Sequence, residues 1–456
     1  MMSFVPCDRD QPFLLPPDLK DWVPEDDLAH FIVAAVERVE LRAFKVNHRG
    51  AGKPQYHPRM MLALLIYCYA NGIFSSRRIE RATHRDLGVR FVAANNHPDH
   101  DTIAAFRREN GQAFEAAFLR VLLLAKELRL LRVGLVSIDG TKLDANASKI
   151  RSVRYDRAQA LRAKLAADIA ALTAKAEAAD AADAPDPQAL PREIARRQAL
   201  HAKLDAACAR IEAEAKAEAA AARPAHEAEQ AAHDAKTGRR GRTPAPPDDT
   251  PPPERQTNLT DPDSALMRKS DAHEYRQSYN AQAVVETEGS RLILATGVAR
   301  TPSDAPTFAA TILGMAEGVG LPTTVLADAG FASEAAVTAL AARGIEPLVA
   351  VSRTQPHRPY DFRPPPDPGK APREPKAPWR QAMQSKLETD PAKAKYKLRQ
   401  QTVEPVFGII KSVLGFRRFS LRGIAKVTNE WRLVSLAYNC KRIVKLATTS
   451  ATHQHA

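Results

Sequence analysis

The sequence has few cysteines, few aromatic residues and no long apolar run. Its four cysteines, Cys7, Cys68, Cys208 and Cys440, lie far apart in a chain of 456 residues. This spacing suits neither a structural zinc site nor a disulfide framework, and it indicates a reducing compartment. The longest apolar run, 60–69, is too short to span a bilayer and has no cationic leader. We therefore expect a cytoplasmic protein.

The overall composition is that of a globular protein with an excess of positive charge. Apolar residues make up 44% of the chain and charged residues 26%, which excludes a wholly disordered or fibrous protein. The 66 lysines and arginines exceed the 53 acidic residues, so the net charge is +13. An excess of this size favours a polyanionic partner, of which nucleic acid is the commonest, although some basic proteins bind no polyanion.

Residues 1–130 are predicted to form an all-helical N-terminal domain. Pro58 is a suitable first residue for a buried apolar helix. Ser75 could cap a second helix carrying Arg77, Arg78 and Arg81. Short basic helices separated by tight turns are typical of a helix-turn-helix DNA reader, but they also fit a helical bundle with a solvated basic face. The sequence leaves both interpretations open.

From residue 131 the pattern changes to alternating strands and helices. A β-branched apolar run before Asp139-Gly140 predicts a buried strand that ends at this pair. Alternation of this kind predicts a mixed α/β layer, here in segments 131–152 and 259–354. The further predicted strands are 281–285, 292–298, 324–327 and 347–351, and the helices between them are 307–318 and 333–343.

Segment 153–258 interrupts this layer. Leucines and isoleucines at helical spacing in an alanine-rich background predict a helical hairpin followed by a basic linker. The insertion could mediate dimerisation, clamp DNA or be a solvated spacer. Segment 355–392 is predicted to be a proline-rich loop, 393–448 to be helical, and 449–456 to be a disordered tail.

Three carboxylates are candidates for chemistry. Asp139 and Asp328 each follow a predicted strand, and side chains at strand ends converge on the crevice where ligands bind. Glu404 edges the apolar stripe of a C-terminal helix. Carboxylates are the ligands that hard divalent cations prefer. Asp-Gly is also a common turn, and a glutamate is favoured near a helix start, so neither feature alone indicates a site.

Several blocks, in this order along the chain, resemble those of DDE transposases of bacterial insertion sequences, and most closely the branch with a Tyr-Arg-Glu-Lys box. The resemblance covers most of the chain, including the N-terminal stretch from Phe4 to about Arg108, but not the hairpin and the proline-rich arms. The catalytic blocks are Asp139-Gly-Thr, Asp328-Ala-Gly-Phe, Tyr396-Lys-Leu-Arg399, Val403-Glu404-Pro-Val-Phe407 and Lys411. The remaining blocks are Asn258-Leu-Thr-Asp261-Pro-Asp263-Ser264 and Tyr279-Asn280-Ala-Gln282.

The resemblance implies an RNase H-like fold in which Asp139, Asp328 and Glu404 hold two Mg²⁺ ions, with Mn²⁺ as a substitute. It also implies that Tyr396, Arg399 and Lys411 contact the DNA backbone near the cleaved end. One position departs from the family pattern. Arg399 precedes Glu404 by five residues, one more than in the usual box.

The function expected from this resemblance is metal-dependent cleavage of DNA at the ends of a mobile element, followed by strand transfer into target DNA. The DNA partners would be the double-stranded inverted repeats of the element and the target DNA. Synapsis of two ends needs at least a dimer. The protein would be associated with the nucleoid in the bacterial cytoplasm. Arg77, Arg78 and Arg81 would belong to the end-binding domain. Two alternatives are a non-catalytic DNA-binding repressor or architectural protein derived from a transposase, and a nuclease that cuts without joining.

Overall fold

The computed structural model of the chain describes residues 18–46, 54–181, 189–235, 242–269, 274–351, 375 and 377–454. Cys7, parts of the basic linker and most of the proline-rich stretch lie outside the described residues. The chain divides into two compact units. The first comprises 1–143 and 280–456, and the second comprises 144–279.

The secondary structure is helical at both ends of the chain and mixed in the middle. The described helices are α1 (Leu28–Glu37), α2 (Pro58–Ala70), α3 (Ser76–Arg85), α4 (Leu87–Val92), α5 (His100–Glu109), α6 (Gly111–Glu127), α7 (Tyr155–Ala181), α8 (Ala189–Asp234), α9 (Phe308–Leu313), α10 (Glu334–Ala341), α11 (Pro378–Glu388), α12 (Asp390–Gly408) and α13 (Ile424–Gln454). The described strands are β1 (Leu135–Asp144), β2 (Ser152–Arg154), β3 (Gln256–Asn258), β4 (Ala265–Lys269), β5 (Glu274–Glu286), β6 (Ile293–Ala299), β7 (Thr324–Ala327) and β8 (Glu346–Val349).

The N-terminal region is helical, as the sequence predicts. Pro58 occupies the first turn of α2, where its missing N–H leaves no helical hydrogen bond unmade, and the helix is buried from Met61 to Ala70. The Asp99 side chain accepts a hydrogen bond from the backbone N–H of Thr102 and so caps α5. No helix among the described residues is long and apolar enough to cross a membrane.

The sheet of the first unit has β1 at its centre. Strands β7 and β8 follow it on one side, each parallel to its neighbour. Strand β5 lies on its other side and pairs antiparallel with β6. The mixed sheet expected from the sequence is therefore present. Strands β6, β7 and β8 lie within two residues of their predicted bounds, whereas β5 begins at Glu274, seven residues before the predicted start at 281.

Strand β1 does not end at Asp139-Gly140, so the predicted strand end at this pair is wrong. The strand continues to Asp144 beside the long β5. A Cβ at position 140 would collide with Oδ1 of Asp304 and would lie 2.7 Å from Oδ1 of Asn280. Gly140 therefore permits two side chains to approach the strand closely. Close approach of a neighbouring group is a common reason for glycine inside a strand.

Helices α11 and α12 pack on one face of the part of the sheet that β1, β7 and β8 form. Leu135, Leu326 and Leu348 form a buried cluster with Ala392, and Leu387 packs against it. The prediction of a loop over 355–392 is thus wrong for residues 378–388, because Met383 and Leu387, one helical turn apart, bring an apolar stripe onto the core. It is also wrong for 390–392, the first residues of α12. The predicted disordered tail is also wrong up to residue 454, where α13 ends.

The second unit contains the predicted helical hairpin. Helices α7 and α8 pack together around Leu204 and Cys208, with Val153 and Ala158 in the same buried cluster. Two antiparallel strands, β2 and β3, join the base of the hairpin, and β4 pairs antiparallel with the first half of β5. The chain between the two helices, 182–188, lies outside the described residues.

Candidate active site

Asp139 and Asp328 stand on adjacent parallel strands. Strand β1 pairs with β7 in a register that matches Leu135 with Thr324 and Ser137 with Leu326. Extending this register by two residues places Asp139 beside Asp328, immediately after β7. The sheet thus brings together two carboxylates that the insertion separates in sequence.

The environment of Asp139 opposes its ionisation. Its side chain is 18% exposed. Burial, followed by repulsion from Asp328, raises the pKa of Asp139 to about 7, against the smaller opposing effects of the Gly140 N–H and the Arg399 guanidinium. A group that is costly to ionise in the folded protein and faces other carboxylates is typical of sites that bind a cation.

Asp328 is held by the turn that follows its strand. Its Oδ1 accepts a hydrogen bond of 2.8 Å from the backbone N–H of Gly330, which caps a short 3₁₀ turn, Ala329–Phe331. Phe331 is fully buried and contacts Phe308 edge-on, with ring centroids 5.3 Å apart. The turn is therefore fixed to the core, and the Asp328 carboxylate is fixed with it.

Helix α12 carries Glu404 and Arg399 to the same place. Nη1 of Arg399 lies 3.4 Å from Oδ2 of Asp139, and Nη2 lies 4.0 Å from Oε1 of Glu404. The Arg399 side chain is 13% exposed, whereas that of Glu404 is 58% exposed. One buried guanidinium thus lies between two of the three carboxylates identified in the sequence.

The extra residue between Arg399 and Glu404 changes their relation on the helix. Five residues correspond to a rotation of about 140° around an α-helix, whereas four correspond to about 40°. Arg399 therefore turns toward the sheet and Asp139, while Glu404 remains partly in solvent. The length of the arginine side chain still lets it approach both carboxylates.

Tyr396 and Lys411 occupy different settings. The Tyr396 hydroxyl donates a hydrogen bond of 3.1 Å to the backbone carbonyl of Ala327, directly before Asp328, and its ring packs against the Leu326 cluster. Burial raises the pKa of Tyr396. Lys411 lies on a π-helical segment, Ile409–Val413, that continues α12 beyond Pro405. Tyr396 thus anchors α12 to the end of β7.

A fourth carboxylate, Asp304, lies at this site and was missed by the sequence analysis. It follows β6 and precedes a 3₁₀ turn. Its Oδ1 accepts hydrogen bonds from Nδ2 of Asn280, at 2.7 Å, and from Nε2 of Gln282, at 2.9 Å. Repulsion from Asp304 is among the effects that raise the pKa of Asp139. The only local signal is an aspartate before Ala-Pro, which is also typical of a helix cap.

The residues at the site suit a divalent cation in their chemistry. Asp139, Asp328 and Asp304 supply carboxylate oxygens. Arg399 supplies a positive charge near both Asp139 and Glu404. Glycines at 140 and 330 leave open the space beside these carboxylates that a Cβ would fill. In the described part of the chain, no three histidine, cysteine or acidic side chains are arranged as a complete metal site.

The three arginines predicted to bind DNA lie together on α3. Arg77, Arg78 and Arg81 are exposed, and Ile79 and Thr83 are buried on the opposite side. None of these three arginines makes an ion pair with another described residue. The basic face of α3 is therefore open to solvent.

Comparisons with known protein families identify two regions of the chain. Residues 229–440 match the family described as Transposase DDE domain, and residues 17–109 match the family described as Transposase domain (DUF772). The first match contains Asp304, Asp328 and Glu404, whereas Asp139 precedes it on the other side of the hairpin. No curated protein and no solved structure matches the chain. Because both regions, which together exceed half of the chain, match transposase families, the chain belongs to the DDE transposases of insertion sequences.

Proposed function

We propose that this transposase cuts DNA at the ends of its element and joins the freed ends to target DNA, with Asp139, Asp328 and Glu404 as the metal-binding triad. The observation that carries this proposal is the register of β1 and β7, which sets Asp139 beside Asp328. Arg399 then links Asp139 to Glu404 through its guanidinium. Asp139 thus has Asp328 beside it on the sheet and Glu404 across one guanidinium.

The topology of the first unit supports an RNase H-like fold. Its central strand β1 has two parallel strands on one side and an antiparallel pair on the other. Helices α11 and α12 cover the parallel side. Along the chain, the hairpin unit, 144–279, separates most of β1 from the second half of β5.

The chain's residues suit phosphodiester chemistry in stated roles. Bound at the triad, two Mg²⁺ ions, or Mn²⁺ in their place, would neutralise charge on the scissile phosphate and activate the attacking oxygen. Asp139 and Asp328 would hold the cations from the sheet, and Glu404 would hold them from α12. Tyr396 would keep α12 seated on β7 through its bond to Ala327.

Arg399 would exchange partners during the reaction. Its guanidinium now faces Asp139 and Glu404. The planar fork of Arg399 would also suit a phosphate of the DNA backbone, and Lys411 would contribute a second positive charge.

The proposed function is tested by cleavage and joining assays with the full chain. A plasmid bearing both ends of the element should be nicked only when Mg²⁺ or Mn²⁺ is present. A pre-cut end should then be joined to a target plasmid. Cleavage without joining would indicate a nuclease, and tight DNA binding without either reaction would indicate a non-catalytic DNA-binding protein.

The basic face of α3 predicts a measurable salt dependence. Arg77 and Arg81 lie one helical turn apart and are both exposed. If each contacts a phosphate, the double variant Arg77→Ala/Arg81→Ala should lower the slope of log K against log salt by about 2, because each contact releases about 0.9 counterion. Fluorescence anisotropy with end DNA at several salt concentrations measures this slope.

The matched control for this experiment is Arg42→Ala. Arg42 is also exposed in the helical region, but it forms an ion pair with Glu40. We expect its salt slope to equal that of the unmodified protein. An unchanged slope in the α3 double variant would contradict the assignment of this face to DNA, as a solvated bundle surface would give that result.

Sedimentation of the protein with end DNA tests for the homodimer or higher oligomer that synapsis requires.

A further inference from the structure

Asp304 has the position and the support of a metal-binding residue. It lies between Gly140 of β1 and Gly330 of the turn after β7, at the same place as Asp139 and Asp328. A Cβ at position 330 would lie 3.3 Å from Oδ2 of Asp304 and 3.0 Å from Oδ1 of Asp328. The two carboxylates thus approach the same small space, which both glycines leave open.

The two oxygens of Asp304 have different surroundings. Oδ1 accepts both amide hydrogen bonds, from Asn280 and Gln282, which are themselves buried on β5. No described residue donates a hydrogen bond to Oδ2, which is the oxygen nearer to Gly330. One oxygen is therefore used for positioning, and the other remains available to a ligand.

The amide that holds Asp304 is itself oriented by a further hydrogen bond. The Thr307 hydroxyl donates to Oε1 of Gln282 at 2.8 Å, which directs the NH₂ group of Gln282 toward Asp304. Two hydrogen-bonded amides thus fix Asp304 beside two further carboxylates.

We propose that Asp304 is a fourth carboxylate of the metal site, with Oδ2 facing the cation that Asp139 and Asp328 would hold. The amides of Asn280 and Gln282 would then act as the outer hydrogen-bond partners that orient a metal-binding carboxylate. This inference rests on the proposed function. It extends the metal site to the segment between β6 and α9.

The experiment is a titration of the metal-free full chain with Mn²⁺. Calorimetry measures the heat of binding, and electron paramagnetic resonance measures the concentration of free Mn²⁺. Asp304→Asn keeps an oxygen acceptor for both amides and removes only the charge. We expect this variant to bind Mn²⁺ at least about tenfold more weakly, as loss of an oriented ligand does. Gly140→Ala, whose Cβ would collide with Oδ1 of Asp304, should weaken binding in the same way.

Asp144→Asn is the matched control, because Asp144 is an aspartate of the same strand whose Oδ2 is paired with Arg276 at 3.1 Å. It should bind Mn²⁺ as the unmodified protein does. If Asp139→Asn loses Mn²⁺ binding while Asp304→Asn retains it, the inference on Asp304 is wrong and the proposed function stands. If the unmodified chain neither binds Mn²⁺ nor cuts DNA, both are wrong.

Discussion

Asp139→Asn is expected to reduce Mg²⁺-dependent cleavage by a factor of about 10³ or more, as loss of a group that stabilises transition-state charge does. The same change should stabilise the metal-free protein. Asp139 is buried against Asp328 and Asp304, which raises its pKa to about 7. An asparagine can still accept the Gly140 N–H, but it carries no charge to be repelled. A variant that melts at a higher temperature yet cannot cleave would show that Asp139 is present for chemistry.

The stabilising effect of Asp139→Asn should depend on pH in a defined direction. In the unfolded chain an aspartate ionises with a pKa of about 4. The pKa of Asp139 is higher in the folded chain than in the unfolded chain. The contribution of Asp139 to the free energy of unfolding is therefore greatest below about pH 4, where the group is protonated in both states. This contribution is lost as the pH rises from about 4 to about 7, because the unfolded chain then releases the proton more readily. The difference in melting temperature between variant and unmodified protein should therefore grow from pH 5 to pH 8. Differential scanning fluorimetry in a chelator-treated buffer measures it.

The variant Glu404→Gln separates the loss of cleavage from the gain in stability. The Glu404 side chain is 58% exposed, and Arg399 lies 4.0 Å from its Oε1. Its neutralisation should abolish cleavage to the same extent as Asp139→Asn and leave DNA binding intact, but it should not raise the melting temperature at any pH. Cleavage retained by Glu404→Gln would exclude it as a metal-binding residue. A parallel rise in stability for both variants would contradict the burial argument for Asp139.

The sequence predicted the parts of this site that depend on local patterns. Asp328 follows a short β-branched run, and such a run bounded by polar residues is a strong strand signal. Asp139 was found at a strand, but the strand end was misplaced, because Asp-Gly signals a turn unless a neighbouring strand continues the pairing. The identity of Gly140 reflects the approach of Asp304, which is a contact between distant segments.

The role of Asp304 could not be predicted either, because it also depends on contacts between segments that are distant in sequence. Nothing in its own segment distinguishes it from a helix cap, and its role depends on two amides of β5 and on the glycines of two other elements. Residues 378–388 were likewise misjudged, because a short amphipathic stripe next to a proline-rich stretch becomes a helix only through packing on the sheet. Helix propensity alone does not reveal that partner.

Arg107→Leu is expected to lower the free energy of unfolding of the first unit by about 3–5 kcal/mol, the usual cost of leaving a buried charge without its partner. Arg107 is 6% exposed and donates from Nη1 to the Tyr69 hydroxyl, at 3.0 Å, and to the Phe74 carbonyl, at 2.7 Å. Tyr69 in turn donates to Oε1 of Glu430, which is fully buried on α13. Without Arg107, the Glu430 carboxylate would lose the opposite charge that offsets its burial.

This network connects α3, the proposed DNA-binding helix, to the sheet that carries the proposed metal site. Nη2 of Arg107 donates to the Ser76 hydroxyl at the start of α3. At the other end, Trp431, next to Glu430, donates from its indole to the backbone carbonyl of Gln282, the residue whose amide holds Asp304. Loss of Arg107 should therefore also weaken binding of end DNA, because α3 would lose a contact that fixes its first turn.

Urea unfolding followed by tryptophan fluorescence, together with anisotropy of end DNA, measures both effects of Arg107→Leu. The control is Arg108→Leu, because Arg108 is 47% exposed and pairs only with Glu109 among the described ion pairs. Its free energy of unfolding should change by less than about 1 kcal/mol, as is usual for an exposed pair. Equal destabilisation by both variants would contradict the buried network. Lower stability with unchanged DNA affinity would show that Arg107 supports the core without positioning α3.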